Sequence, residues 1–265
     1  MLQLKRLTTL LVALLILFAG VTATGDTIAL GITVTPGKFE AAMPPGTTYN
    51  VPVTVANNSG SSVHILASLS DFSLSETGNY EFEKIGTNEN SLLKWASIRP
   101  REFDIPSGTS QQVQLTIAMP SDDKLSGEYA GVVFFQTRPE RRGGGVAFSA
   151  RIAAKLYITI PNTVTINGAI TKMSSSKAAG RQIYRVLFKN SGNAHEYLRG
   201  QVTVQKNGAV VYQVNMPDNM LVERGGQRLI ELSGKSLESG TYQAIATVDY
   251  GGKTETGGEI NFEVH

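Results

Sequence analysis

The sequence predicts an all-β fold, two β-sandwiches in tandem behind a cleaved signal peptide, and three observations carry that expectation. From Ile28 onward, short segments rich in Val, Ile, Thr, Tyr and Phe are separated by Gly, Pro, Asn and Ser clusters, at the roughly 8 to 12 residue rhythm of sandwich strands. No helical period of apolar residues follows the N-terminal segment, so the strands have no crossover helices and are expected to pair antiparallel. The third observation is a weak internal repeat. VTVANNSGSS (residues 53–62) matches VLFKNSGNAH (186–195), each an alternating strand running into an Asn-Ser-Gly turn, and SGEYAGVVFF from Ser126 matches SGTYQAIATVDY from Ser239.

The N-terminus reads as a secretory signal. Lys5 and Arg6 precede an apolar run over residues 7–19, and the small residues Val21 and Ala23 offer cleavage after Ala23. That run is shorter than the roughly 20 residues that cross a bilayer. The expected location is therefore periplasmic or secreted, with no membrane span after cleavage. The chain has no cysteine, which excludes a disulfide framework, a thiolate metal site, a thiol nucleophile and lipid attachment at a cysteine. Lys and Arg number 24 against 22 Asp and Glu, and the signal removes two bases and no acid, which leaves the remainder neutral. A neutral chain lacks the concentrated positive surface on which nucleic-acid binding rests.

The domain boundary is expected within residues 161–168, just past the longest strand of the first half, which divides the chain into 1–23, 24–161 and 162–265. The clearest strands before it are residues 32–35, 49–56, 63–69, 111–118, 129–137 and 146–160. Tyr129 and Tyr242 each follow a turn and open a late strand, the position of a corner tyrosine in an immunoglobulin-like sandwich, whose hydroxyl bonds back to the backbone. The second half offers about seven strands, the number of such a sandwich. Its clearest hairpin is QVTVQKNGAVVYQV, where Asn207-Gly208 is the pair favoured by two-residue type I′ turns.

The first domain resembles the N-terminal domain of the periplasmic pilus-assembly chaperones, the PapD-like immunoglobulin-fold family. The pieces that carry the resemblance are the opening strand ITVTPGKFE, the strand and turn VPVTVANNSG, the segment WASIRPREFDIPSGTSQQVQLTI, the strand SGEYAGVVFFQTRP and the strand SARIAAKLYITIP. They cover roughly residues 28–161, and the second domain fits only as another sandwich. The resemblance implies strand addition: the chaperone lends a strand to a subunit that lacks one, main-chain hydrogen bonds supplying affinity and alternate side chains specificity. It places the lending strand over residues 146–156, with Val146, Phe148, Ala150 and Ile152 on the donor face. It gives Lys38 and Lys155 the role of anchors for the partner's terminal carboxylate. Ala150 stands where the family places a bulky aliphatic, and Lys38 where it usually has arginine, whose two-pronged fork a lysine lacks. The implied partner is a β-rich surface or fimbrial subunit.

The same first-domain pattern is similar to that of Gram-positive surface proteins that bind peptidoglycan, which usually carry a C-terminal membrane span. This chain ends at INFEVH without one. A structural or adhesive cell-envelope module therefore stands as the alternative.

Neither catalysis nor a cofactor is expected. His64 sits on the strand VHILASL in a structural role, His195 reads as a loop residue beside Glu196, and His265 is terminal. Ser191, His195 and Glu196 are neighbours in sequence, whereas a catalytic triad is a constellation in space with its own oxyanion site. No histidine spacing suits a metal, and no acidic loop has the calcium pattern. RPERRGGG (138–145) lacks the Lys-Ser/Thr ending of a phosphate loop and reads as a hairpin loop. Asp122-Asp123 reads as a polar turn, MSSSKAAGR (173–181) as a loop, and Trp95 as packing at the edge of the first core.

Overall fold

The structure is a computed structural model that describes residues 31–141 and 147–265. The signal segment, Val146 and residues 142–145 of the RPERRGGG loop lie outside the described residues. Among the described residues the first half holds β1 (Ile32–Thr35), β2 (Lys38–Ala42), β3 (Thr48–Asn57), β4 (Val63–Leu74), β5 (Tyr80–Glu83) and β6 (Ala96–Arg99). It continues with β7 (Glu102–Ile105), β8 (Ser110–Ala118), β9 (Glu128–Thr137), β10 (Glu140–Arg141), β11 (Ala147–Phe148) and β12 (Arg151–Thr159). The second half holds β13 (Gly168–Ala178), β14 (Arg181–Asn190), β15 (Glu196–Lys206), β16 (Ala209–Asn215), β17 (Met220–Val222), β18 (Gln227–Ser233), β19 (Gly240–Asp249) and β20 (Thr256–Val264). No described helix is long and apolar enough to cross a membrane.

Each half is a two-sheet sandwich. In the first, the order β1-β3-β8-β6 faces the order β2-β12-β9-β4-β5, with β7 pairing β4. In the second, β13-β14-β18 faces β16-β15-β19-β20, with β17 pairing β15. The period of two seen in the sequence builds both cores. Val53, Val55, Val113, Leu115 and Ile117 meet Ile65, Val133, Phe135, Leu156 and Ile158 in the first. Tyr184, Val186, Phe188 and Ile230 meet Val202, Val204, Ala244, Ala246 and Val248 in the second. Burial of such alternate positions, at about 25 cal/mol per Å² of apolar surface, is the main driving force for each half.

The opening segment, expected as one strand, is two. Pro36 has no N–H to give a ladder, and the chain leaves one sheet there and enters the other at Lys38. β1 runs antiparallel to β3, whereas β2 runs parallel to β12.

The strand expected over residues 146–160 is also interrupted. Ser149 and Ala150 fall between β11 and β12, where side chains join the backbone bonding: Thr137 N donates to Ala150 O at 2.9 Å, Ser149 Oγ to Thr137 O at 2.7 Å, and Ala150 N to Thr137 Oγ1 at 2.9 Å.

The repeat has a physical basis at its turns. Asn57 and Asn190 are fully buried and hold their turns in the same way. The Asn57 amide donates to Ser61 O at 2.8 Å and Ile105 O at 2.9 Å, and its oxygen accepts from Ser59 N at 2.9 Å. The Asn190 amide donates to Ala194 O at 2.8 Å and Glu223 O at 3.2 Å, and its oxygen accepts from Gly192 N at 2.8 Å. Tyr242 is a corner tyrosine whose hydroxyl donates to Glu238 O at 3.0 Å. Tyr129 instead packs on Trp95, ring centroids 4.9 Å apart, beside the first core. Asn207 and Gly208 both take positive φ, 52° and 79°, as a type I′ turn requires.

Replacing either asparagine by alanine removes two bonds donated to carbonyls and one accepted from an N–H. Each of Asn57→Ala and Asn190→Ala is expected to lower stability by about 2 to 3 kcal/mol, read as a fall in the urea midpoint. A loss below about 0.5 kcal/mol, the size of an ordinary surface substitution, would show that the turns do not depend on them.

Candidate functional site

Because successive side chains of a strand alternate between faces, β12 has two chemistries. Ile152, Ala154, Leu156 and Ile158 pack into the first core. Arg151, Ala153, Lys155 and Tyr157 lie on the outer face, where Ala153 and Tyr157 join Phe72, Val132 and Phe134 in a separate apolar cluster that also touches Leu221 of the second sandwich. This outer cluster explains why Val132, Val133, Phe134 and Phe135 are all buried: both faces of β9 are covered. The non-alternating run GVVFF was the sequence signal for it.

One edge of β12 pairs with β9 along its whole length, from Arg151 opposite Gln136 to Thr159 opposite Glu128. The other edge pairs with β2 only over residues 155–159, with Lys155 opposite Lys38 as the first pair. No described strand pairs with that edge at residues 151–154, so its backbone groups are open to an added strand.

Of the four donor-face residues of the sequence reading, Phe148, Ala150 and Ile152 do not share one continuous strand. Phe148 lies on the β10-β11 hairpin and is 44% exposed, Ala150 sits in the bend and is 8% exposed, and Ile152 is half-buried against the first core. Val146 lies outside the described residues. The two lysines, by contrast, meet.

Lys38, Lys155, Tyr80, Tyr197, Gly78 and Arg228 line a cleft of about 520 Å³ between the sandwiches. Lys38 Nζ donates to Tyr197 Oη at 2.7 Å, and Lys155 Nζ to Tyr80 Oη at 2.9 Å. Each ammonium lies 4.9 Å from the centroid of the same ring, within cation–π range. Farther along the open edge, the Arg151 guanidinium lies 3.4 Å from the centroid of Phe134 and 5.6 Å from that of Phe82. Lys38 is also paired with Glu40 at 2.7 Å, and Tyr197 Oη donates to Glu40 at 3.0 Å. The bond to Glu40, then that to Tyr197, outweigh desolvation and hold Lys38 above its ordinary value. Burial pushes Glu40 upward, but the Lys38 and Tyr197 bonds prevail and hold it below the usual carboxylate range.

Behind the cleft, the sandwiches are tied by buried polar groups. His195, on the loop before β15, sets Nδ1 2.6 Å from Glu128 Oε2 and donates its backbone N–H to Glu128 Oε1 at 3.1 Å. Its ring packs against Tyr157, centroids 4.4 Å apart and planes tilted by 43°, and the Tyr157 hydroxyl donates to Glu223 at 2.8 Å. Arg224 Nη1 donates to the Glu128 carbonyl at 3.1 Å. His195 is thus a loop residue, as its sequence context implies, but one largely enclosed at the junction, its side chain 11% exposed. Desolvation alone would lower its pKa; the bond to Glu128 and the surrounding carboxylates raise it instead. Burial also pushes Glu223 up to about 6 and Glu196 up to about 7. Glu196 accepts from Asn167 N at 3.1 Å, while its other oxygen is buried without a partner.

Tyr80, Tyr197, Glu40 and Arg228 were not singled out by the sequence. Glu40 was the most accessible, because it alternates with Lys38 on one strand and so shares its face. His64 lies between Glu102 and Asp104 of β7, at 2.7 and 2.8 Å, on the outside of the first sandwich. No group of three or more His, Cys, Asp or Glu able to hold a metal occurs among the described residues.

No protein-family model matches the sequence, and no curated protein matches it. Solved structures of similar chain path include fimbrial chaperones. The class 5 fimbriae chaperone CfaA is 13% identical at a TM-score of 0.48, covering 88% of this chain and 99% of its own. A chain of the Salmonella enterica SafA pilin–SafB chaperone complex is 11% identical at 0.44, over 88% and 96%. A chain of the CsuC–CsuE chaperone–tip adhesion subunit complex of Acinetobacter baumannii is 10% identical at 0.45, over 86% and 97%.

The junction has a signed pH dependence. His195, Glu196 and Glu223 all have folded pKa values raised above their unfolded ones. Each therefore contributes stability that is complete below its unfolded pKa and is lost as pH rises through the folded value. The carboxylates act between about pH 4.5 and 7, and His195 above about 6.5. Urea midpoints are expected to fall from pH 5 to pH 8. Glu196→Gln removes the largest carboxylate contribution, on the order of 3 kcal/mol, and flattens the profile. A midpoint that rises over this range in the parent chain would contradict the assignment.

Proposed function

We propose that this chain is an exported, non-catalytic assembly factor of chaperone type, which holds a β-rich surface or fimbrial subunit by strand addition. The observation that carries the reading is the half-open edge of β12. Residues 151–154 have one side in the ladder and the other free, and the free stretch ends at the first Lys38–Lys155 pair.

An extended segment laid along this edge gains main-chain hydrogen bonds. Its alternate side chains continue the row in which Ile152 and Ala154 face the first core. At its far end the segment reaches the cleft, where ammonium groups meet a terminal carboxylate in charge-assisted bonds. Phe148, exposed beyond the bend, extends the apolar contact outward. Arg151 and Lys155 flank the free stretch with charge, which discourages edge-to-edge pairing between copies of the chain itself. The expected compartment is the periplasm, where such subunits pass after export. No step in this process needs a nucleophile, a metal or a cofactor, because binding energy does the work.

The test is capture of the exported protein from its native envelope, combined with amide hydrogen exchange on the complex. Exchange is expected to slow at residues 151–154 when the partner is bound. Phe148→Glu, at an exposed position, is expected to weaken capture of that partner about tenfold, or ~1.4 kcal/mol. Unchanged exchange at 151–154 together with full capture by Phe148→Glu would leave the structural or adhesive module as the better reading.

A further inference from the structure

The contacts between the sandwiches differ in how they answer to pH. Some are made by groups that do not titrate. Thr165 N donates to Asn193 Oδ1 at 2.7 Å, Ser191 N to Asn167 O at 2.7 Å and Glu128 N to Asn193 O at 2.8 Å. Residues 163–167 are thereby fastened to the Asn190 turn, and that turn to the start of β9. At the other end of the junction, the tip of the β4-β5 hairpin reaches β18 through Leu229 N donating to Glu76 O at 2.7 Å. Backbone amides and an asparagine side chain make all of these bonds.

The remaining polar contact is ionic and centres on His195. Its Nδ1 lies 2.6 Å from Glu128 Oε2 and its Nε2 3.5 Å from Glu40 Oε1, so both ring nitrogens face a carboxylate of the first sandwich. An imidazolium donates at both nitrogens, whereas a neutral ring donates at one and turns a lone pair toward the other acid. The Glu128 side chain is 1% exposed, and with so little water to screen it the change of charge is felt strongly. Other elements also face the ring. Tyr157 of β12 and Tyr197 of β15 pack on it, Glu223 accepts from Tyr157, and Glu196 is its neighbour in the chain. The bases around the cluster are Lys38, paired with Glu40, Lys155, whose charge acts on Glu223, and Arg224, which donates to the Glu128 carbonyl.

We propose that the junction is a pH-operated hinge, latched while His195 is an imidazolium between Glu128 and Glu40 and released when its ring is neutral. The contacts that do not titrate stay in place, which leaves rotation about the line joining residues 163–167 to the hairpin tip. Tyr157 ties the latch to β12, so the rotation reaches the strand that carries the open edge.

The direction follows from linkage. Desolvation would lower the His195 pKa, but the bond to Glu128 and then the charges of Glu128, Glu223 and Glu40 raise it above the ordinary 6.5. A group with a raised folded value gives its full contribution below the unfolded value and loses it as pH rises through the folded one. The hinge is therefore latched on the acid side. Glu223 and Glu196, pushed up by burial to about 6 and about 7, gain negative charge as His195 loses its positive one, and their repulsion adds to the release.

The chain has no cysteine, so Gln114→Cys and Asn261→Cys, at exposed positions of the two sandwiches, place one pair of spin labels on the whole exported chain. Pulsed dipolar electron paramagnetic resonance then reads the distance between them. The distribution is expected to be narrow at about pH 5 and to shift and broaden by about pH 9, with its midpoint above about 6.5. Far-UV circular dichroism is expected to stay constant, which separates rotation from unfolding. His195→Gln should abolish the transition. Glu40→Gln, at an exposed position, removes one of the two acids that favour the imidazolium and should move the transition to lower pH. A distribution that does not change with pH in the parent would overturn the hinge. Persistence of the transition in His195→Gln would assign it to Glu196 and Glu223 and overturn the latch, as would a midpoint that fails to fall in Glu40→Gln.

Discussion

The chain changes sheets between Thr35 and Lys38, at Pro36 and Gly37, and the arrangement of the cleft depends on that crossing. Before it, β1 is an antiparallel neighbour of β3; after it, β2 runs parallel to β12. The parallel partner is short, and it covers only the half of β12 nearest the second sandwich. From this single constraint come the pairing of Lys38 with Lys155, the covered edge at residues 155–159 and the open edge at residues 151–154.

Strand β12 then works through its period of two. The inward row completes the first core, and the outward row builds the junction. Tyr157 belongs to the outward row: its ring packs on His195, its hydroxyl reaches Glu223, and it shares the apolar cluster with Leu221. One strand thus joins core, open edge and interdomain contact, and a change in the angle between the sandwiches moves the cleft and the edge together. The Glu128–His195 pair, the Tyr157–Glu223 bond and the docking of the β4-β5 hairpin on β18 are among the contacts that hold that angle.

The cleft is asymmetric although its two lysines are related by a near-symmetric pattern, each capped by a tyrosine. Glu40 breaks the symmetry. It alternates with Lys38 on β2, so both side chains emerge on one face and neutralise each other, whereas Lys155 alternates with Ala153 and Tyr157 and has no acid on its own strand. A difference of one residue type, two positions along a strand, decides which lysine is paired with an acid of its own strand.

Much of the fold was legible in the sequence because alternation and turn chemistry are local. The internal repeat aligned two buried asparagines with the same bonds, Asn57 just before its Asn-Ser-Gly turn and Asn190 opening its own; Asn207-Gly208 marked a type I′ turn, and the order of the strands marked two sandwiches. The expected proximity of Lys38 and Lys155 came from the resemblance, and the parallel register brings them opposite each other. What the sequence could not specify was everything that depends on contact between distant segments: the bend at Ser149 and Ala150, which forms through side-chain bonds to Thr137, and the burial of His195 against Glu128, 67 residues away in the chain. Tyr80, Tyr197 and Arg228 belong to this class too. They lie on three strands of two sandwiches with no spacing in common, and only the packing of one domain on the other brings them to a single cleft.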